Sequence, residues 1–596
     1  MKVRFVSGAD YFIGRKGGKL EELMAKLPAH ILGISYSHGD SSACIIRDGI
    51  LIAAAEEERF NRIKHYALFP QRAIAYCLKE AGLTPQDVDA VAIAKKPLNQ
   101  WWKKATLAAS HSALVTGRKK DAKSDPLSQN LAKCGLNRAR RFTCEHHQAH
   151  MASSRWLCPD DNLALFSFDG LGDFVSAAYG TVEGTDISIE ERVTFPHSLG
   201  FFYTALTQYL GFPHFGDEFK VMGLSSYGAP KFLDGMRELI RTKDGFNFEL
   251  NLEAFPILKR PMEFSIVKGQ PVVKPFYNSQ FLTQVVGIPP RKASEPLLRS
   301  HWDLAKSVQA RFEEVANHLL SHVQTKTGFK KVGLSGGCAH NSAWVGKIPQ
   351  QTGFQTVYVA PASGDAGIAV GAAMLAARRP ISVQGNHWGL IGPGNETFSA
   401  PPSLSTKEFG DEKKVAAFIA QELAQEKIIG LFQGRMEFGP RALGCRSILA
   451  DPRNSTMRDR LNARVKHREL FRPFAASVLE EYREEWFDDS FYAPTMEAVF
   501  PVKGSKRGKI PAVVHVDDTC RIQSVERQTQ PFYWNVIEQF RKITNVPLII
   551  NTSFNDSEPI VCTAEDAIRC FTHCEMDYLV IGTTVLSREK LALKSA

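Results

Sequence analysis

A chain of 596 residues is longer than one hydrophobic core usually organises, so two or more domains are expected. Its 44% hydrophobic and 23% charged residues exclude a disordered or fibrous chain, and no apolar run reaches the length that spans a bilayer. The formal charge of +10 admits a nucleic-acid surface, but spread over this length it fits an enzyme for small anions equally well. The 11 cysteines are odd in number, scattered and without a CxxC pair, which predicts reduced thiols. With an N-terminus that lacks a secretory apolar core, the reading is a cytoplasmic protein.

In chain order, residues 1–30 match no pattern and read as an N-terminal extension. Residues 31–35 predict a buried strand, and residues 42–47 and 50–53, joined by Asp48-Gly49, predict a hairpin. The basic stretch from Trp101-Trp102-Lys103-Lys104 to Arg118-Lys119-Lys120 reads as a solvated helix face or loop, with base stacking given a minor share.

The run Cys144-Glu145-His146-His147-Gln148-Ala149-His150 is the first chemical signal. Four residues apart on a helix, His146 and His150 share a face and can bind one ion through their imidazole nitrogens, while His147 points elsewhere. Taken alone, a hydrogen-bonded structural pair explains the spacing nearly as well. Downstream, a strand over 163–168 runs into Asp169-Gly170-Leu171-Gly172-Asp173, and a second strand starts at Val175. This repeats the strand-turn-strand of residues 31–53. Two such units are what a duplicated actin-like ATPase fold needs to hold phosphate and metal, although two ordinary hairpins explain them equally well.

A helix over 302–321 places Leu304, Val308, Phe312, Val315 and Leu319 on one apolar stripe. A strand over 331–335 then enters Gly336-Gly337, where a double glycine permits close approach of an adenosine moiety; a plain strand-helix turn is the alternative. Asp365 opens a small-residue helix over 368–377. With Asp169 it can complete a mixed nitrogen and oxygen shell around His146 and His150, a donor set suited to Fe(II), Zn(II) or Mn(II). Residues 379–407 are rich in Gly, Pro, Ser and Thr and read as the interdomain connection, with the boundary near 395.

The second half predicts a helix over 412–425 and buried strands over 428–432 and 547–550. Its chemical signal is cationic: Arg441 in Gly439-Pro440-Arg441-Ala442-Leu443-Gly444, then Lys466, Arg472 and Arg521, with Ser553 and Asn555 after the last strand. Arginines at rigid turns are preorganised for bidentate phosphate contacts. A metal group and fixed cations in one chain predict an enzyme acting on a nucleotide or activated phosphate compound.

Seven stretches carry a family resemblance: His38-Gly39-Asp40-Ser41-Ser42-Ala43; Glu56-Glu57-Glu58-Arg59-Phe60 with Lys64-His65; the His146 to His150 run; Ser335-Gly336-Gly337; Gly439 to Gly444; Phe471-Arg472-Pro473-Phe474-Ala475; and Asn551-Thr552-Ser553-Phe554-Asn555. From residue 31 onward the chain resembles the O-carbamoyltransferase family that includes the nodulation-factor, cephamycin and tobramycin carbamoyltransferases. The resemblance implies an α/β protein with a duplicated actin-like ATPase (ASKHA) domain over 31–394 and a YrdC-like α/β domain over 395–596.

It also implies that the second domain makes carbamoyl-adenylate from carbamoyl phosphate and ATP, with Mg accompanying ATP. The first domain would pass the carbamoyl group to a hydroxyl of a sugar, antibiotic or other small acceptor. The implied metal ligands are His146, His150, Asp169 and Asp365, with Fe(II) preferred over Zn(II) or Mn(II). Arg441, Lys466, Arg472, Arg521 and Ser553 would hold the adenylate, with Asn555, Gly336 and Gly337 beside it. Arg441 and Lys466 would be catalytic there, and His38 would be the base for transfer. Family members place that histidine immediately before the first-turn aspartate, whereas here Gly39 intervenes before Asp40. Competing readings are a tRNA threonylcarbamoyl-transfer enzyme and an inactive nucleotide-binding protein. Neither a membrane nor nucleic acid is an expected partner. The acceptor and the oligomeric state, a homodimer included, stay open, with the stretch 248–297 expected to shape the acceptor pocket.

Overall fold

The computed structural model describes residues 27–588 except 97–98, 111–125, 159, 261, 386 and 470. Residues 1–26 of the extension and residues 111–120 of the basic stretch thus lie outside the described residues. Within that stretch Trp101–Ser110 is a helix on which Trp101 and Trp102 are exposed, in keeping with a solvated face.

Strands β1 (His30–Ser35), β2 (Ser42–Arg47) and β3 (Ile50–Glu56) form an antiparallel meander, and β4 (Ala90–Ala94) and β5 (Arg140–Cys144) extend it in parallel beyond β1. The Asp48-Gly49 turn between β2 and β3 has positive φ at both residues, 52° and 81°, the conformation of tight hairpin turns with right-handed strand twist. A second sheet repeats this plan: β6 (Leu163–Gly172), β7 (Val175–Glu183) and β8 (Asp186–Thr194) form an antiparallel meander, and strands Lys331–Ser335 and Thr356–Val359 extend it in parallel beyond β6.

Both sheets therefore share the order 3-2-1-4-5 with the same pattern of strand directions. That correspondence decides between the readings of the sequence repeat: the two hairpins are equivalent parts of a duplicated actin-like fold. The turn after β1 carries Asp40, and the bulged last part of β6 carries Asp169.

The helix between the sheets explains how the histidine run is placed. Ile368–Ala377 is built almost wholly of small residues and packs against His146–Arg155. A Cβ on Gly371 would sit 1.8 Å from the Ala149 carbonyl oxygen, so only glycine permits this approach. The helix expected at 302–321 runs over Arg299–Thr327, ending at Gly328 with φ 68°. Its stripe of Leu304, Val308, Phe312, Val315 and Leu319 is buried to within 1%. Each such side chain contributes about 1.5–3 kcal/mol of burial.

The second half is a nine-stranded mixed sheet. Its central strands Ile429–Phe432, Arg446–Ala450, Leu548–Ser553 and Ala475–Leu479 are paired side by side, and helices Glu412–Ala424 and Pro531–Thr544 pack together. This is the α/β class expected. Two strands run past expectation: β6 continues beyond residue 168 through Asp169 to Gly172, and the last central strand continues to Ser553, so Ser553 ends a strand instead of lying in the turn, because Asn551, Thr552 and Ser553 keep pairing with Arg446–Ala450. The expected connection is not structureless either. Ser382–Val383 pairs with β3 and Ser405–Glu408 pairs with Thr584–Ser587, so its two ends join different sheets.

Candidate active site

His146 is in the first turn of its helix, and His150 follows one turn later. The Nε2 atoms of the two rings are 3.1 Å apart. Asp169 Oδ2 lies 3.1 Å from His146 Nε2 and 3.4 Å from His150 Nε2; Asp365 Oδ1 lies 3.5 and 3.6 Å from the same two atoms. All four donor atoms fall within 4.8 Å of one another.

Two imidazoles and two carboxylates converging this closely form a group that could hold a divalent ion with nitrogen and oxygen preferences. Asp365 Oδ1 is buried without a hydrogen-bond partner among the described residues, as an oxygen reserved for a cation would be. Burial opposes protonation of His150, but Asp169 and Asp365 outweigh it and raise its pKa to about 9. The same two histidines hold the Asp169 carboxyl far down against the upward push of burial.

Neighbours orient the group. Asp173 Oδ2 accepts from the His146 amide at 3.0 Å, and the Gly337 amide donates to Asp169 Oδ1 at 3.2 Å. Gly336, at φ 89°, and Gly337 thus meet the Asp169 side of the molecule. His147 is anchored away, bonded to Ser167 Oγ and the Val175 carbonyl, both at 2.8 Å, and burial pulls its pKa down to about 3. The ring of His38 is 5.4 Å from that of His146, so the inserted Gly39 still leaves it beside the group. Ser37 and Asp40 flank it with φ of 71° and 59°, a strained turn of the kind found at functional sites. Burial lowers the His38 pKa, with Asp365 pulling the other way, so the ring is neutral near pH 7.

The cations of the second half also gather. Lys466 ends a π-helical turn and is buried, donating to the Asn555 carbonyl at 2.6 Å, Asn555 Oδ1 at 2.7 Å and the Ser553 carbonyl at 2.9 Å. Ser553 Oγ donates in turn to Asn555 Oδ1 at 2.7 Å. Burial pushes the Lys466 pKa well down, and Arg468, Arg472 and Lys64 add to it. Arg521 is lowered by burial, then by Arg441, Arg468 and Arg472; Arg441 is lowered to about 10 by burial alone. Guanidinium groups do not give up their protons, so these directions describe crowded positive charge that an anion would relieve.

The Arg441 loop is shaped from within by Glu437, whose Oε1 accepts the amides of Leu443, Cys445 and Arg446 at 2.7, 2.9 and 3.1 Å. Arg441 then reaches across to donate to the His340 carbonyl at 3.4 Å. Burial takes the His340 imidazole down to about 4, and its electrostatic neighbours include Arg441, Asp40, Asp169 and His150. The metal-type group and the cationic group therefore adjoin through His340.

Several of these residues escaped selection in the sequence. Arg468, with a pKa brought down to about 9 by burial and by Arg472, sits in the same string as Lys466 and Arg472. Lys64 and Arg59 lay in quoted stretches without a role, and His340 lay three residues past the double glycine. Asp173 was read only as part of a turn.

The family models decide the class. One described as Carbamoyltransferase N-terminus matches residues 30–374, and one described as Carbamoyltransferase C-terminus matches residues 420–588. The chain belongs to the carbamoyltransferase family and is a transferase of carbamoyl groups. It is 36% identical over 614 aligned residues to nodulation protein NolNO of Sinorhizobium fredii, covering 97% of this chain and 82% of that one. It is 34% identical to an uncharacterized protein of Synechocystis, covering 94% and 97%. A solved structure, HypF of T. kodakarensis, matches 59% of this chain and 49% of its own at 15% identity and a TM-score of 0.30, too low to carry an argument.

Proposed function

We propose that this carbamoyltransferase works in two steps in two domains divided near residue 395. In the first, carbamoyl phosphate loses phosphate to water, and an oxygen of the resulting carbamate attacks the α-phosphorus of Mg-bound ATP. A new O–P bond forms, the bond to pyrophosphate breaks, and carbamoyl-adenylate remains. Negative charge grows on the phosphoryl oxygens and on departing pyrophosphate, where Lys466, Arg441, Arg472, Arg521 and the Ser553–Asn555 turn stabilise it without reorganising. Gly336 and Gly337 would lie beside the adenosine.

In the second step an acceptor hydroxyl oxygen attacks the carbamoyl carbon and AMP leaves as the C–O bond to it breaks. His38, neutral because it is buried, takes the hydroxyl proton. His146, His150, Asp169 and Asp365 would hold a divalent ion, Fe(II) preferred over Zn(II) or Mn(II). Such an ion supplies Lewis-acid polarisation of an oxygen ligand. The acceptor is a sugar, antibiotic or other small hydroxyl compound.

The observation that carries this reading is the adjacency of the two groups at His340, since a mixed anhydride between carbamate and phosphate is labile in water and benefits from a short path. The test is product analysis with pure protein, ATP and carbamoyl phosphate. Pyrophosphate and inorganic phosphate are expected; ADP in place of pyrophosphate would overturn the adenylate step.

A further inference from the structure

The stretch Glu56 to Arg62 joins the end of β3 to the short helix Glu58–Asn61, and its Glu56, Arg59 and Arg62 side chains reach the second half of the chain. Glu56 Oε1 accepts the Gly439 amide at 2.9 Å, and Arg59 Nη2 donates to the Gly439 carbonyl at 2.9 Å. One peptide position 380 residues away is thus gripped at both its donor and its acceptor. The grip is itself locked, because Arg59 pairs with Glu56 at 3.1 Å and with Glu58 at 2.8 Å, all three residues being buried.

Gly439 has no freedom on its other side. Its φ of 123° is open to glycine only, and a Cβ there would lie 2.5 Å from the Pro361 carbonyl oxygen, four residues before Asp365. Pro440 then fixes the next φ, and Arg441 follows. The position of Arg441 is therefore set by Glu56, Arg59 and Pro361 of the first domain together with Glu437 of its own.

A buried ion pair is a poor device for stability, since apolar side chains of similar volume would hold two domains together as well or better. This one is not even satisfied: Glu56 Oε2 and Arg59 Nε are buried without hydrogen-bond partners among the described residues. What the pair provides, and an apolar contact cannot, is a directional hold on the two peptide units that flank the Gly439 Cα.

We propose that Glu56 and Arg59 are positioning residues for Arg441: they hold the Gly439 backbone on both sides of its Cα so that the guanidinium meets the adenylate in the geometry catalysis needs. This rests on the adenylate reading above. A misplacement of about 1 Å at such a group costs roughly 10²-fold in rate.

The test uses the full chain and Glu56→Ala, Glu56→Gln, Arg59→Ala and Arg59→Lys, reading kcat and KM for pyrophosphate release, thermal unfolding, and hydrogen exchange at the Gly439 amide. Both alanine variants are expected to lose about 10- to 100-fold in kcat, with KM for carbamoyl phosphate within about 2-fold of wild type. Glu56→Gln keeps an oxygen for the amide and is expected to recover most of the rate and most of the exchange protection. Alanine variants with wild-type kcat would overturn the proposal, and so would a Glu56→Gln variant as slow as Glu56→Ala. Should the alanine variants not fold, the Gln and Lys variants decide it: full activity together with an unprotected Gly439 amide contradicts the clamp. A wild type that releases no pyrophosphate fails the adenylate reading instead, and no variant is needed to see it.

Discussion

Arg441 donates to the carbonyl oxygen of His340 at 3.4 Å, a bond between the nine-stranded sheet's cationic loop and the turn that follows the Gly336-Gly337 pair. Since the Gly337 amide holds Asp169, two steps of hydrogen bonding and chain connect the Arg441 guanidinium to the metal-type group. The proposed half-reactions, read independently, distinguish changes made on one side from changes made on the other.

Removing one of the proposed metal ligands is expected to empty one side and spare the other. Asp365→Asn keeps the shape of the side chain but removes the charge that faces both imidazoles. Metal content by elemental analysis is expected to fall about 10-fold or more, with pyrophosphate release unchanged. Retention of metal at wild-type stoichiometry would show that Asp365 is not a ligand.

Gly172→Ala tests the same group through sterics. A Cβ there would lie 2.0 Å from Cδ2 of His146, a contact with the ring itself. The ring must move, which displaces its Nε2 from Asp169. Weakened metal binding and a stability loss of about 1–3 kcal/mol are expected. An alanine variant with native metal affinity would place His146 outside the coordination shell.

The Asp40–His65 pair gives a pH dependence. Burial opposes charge on His65, yet Asp40 at 2.8 Å from Nδ1 raises its pKa to about 9, while His65 holds Asp40 down. The folded value of His65 lies above the ordinary one, about 6.5. Its contribution to stability is thus complete below about pH 6.5 and is lost as pH rises through about 9. Asp40 contributes above its ordinary value of about 3.9, and that contribution is lost as pH falls below it. Histidine NMR titration should find His65 near 9 in the wild type and well below that in Asp40→Asn, where burial and Lys64 oppose charge and only Glu58 still favours it. A value above 8 in the variant would assign the shift to another group.

Arg468 is expected to bind substrate phosphate. Its Nε is held by Asn462 Oδ1 at 2.8 Å, and its guanidinium lies over the Phe474 ring at 4.5 Å. Arg468→Ala should raise KM for ATP about 10-fold or more, the scale of one lost charged hydrogen bond. Arg464→Ala is the control, because Arg464 is exposed and faces Glu575 at 3.6 Å. Equal effects from the two would remove Arg468 from the site.

Local features were readable in the sequence where the physics is local. Asp48-Gly49 announces a turn because both positions need positive φ, and His146 and His150 announce a shared face because a helix turn is four residues. The strand Lys331–Ser335 and the helix Ile368–Ala377 were read with their bounds for the same reason. The repeat was visible but undecidable, since a hairpin looks alike in either fold; only the two parallel strands added beyond β1 and beyond β6 distinguish them. Arg464, Lys466, Arg468 and Arg472 look equivalent in a string of charges, and only burial separates Arg464 from the rest. The Glu56–Arg59 grip on Gly439 was beyond reach, because its partner lies in another domain and contributes only backbone.

The division of labour between the two groups is tested most directly by ATP–pyrophosphate exchange, dependent on carbamoyl phosphate, in His150→Ala and Lys466→Ala side by side with carbamoyl transfer. Exchange retained without transfer in His150→Ala, and exchange lost in Lys466→Ala, is the predicted result. Loss of exchange in both, or its survival in both, would contradict two separate half-reactions.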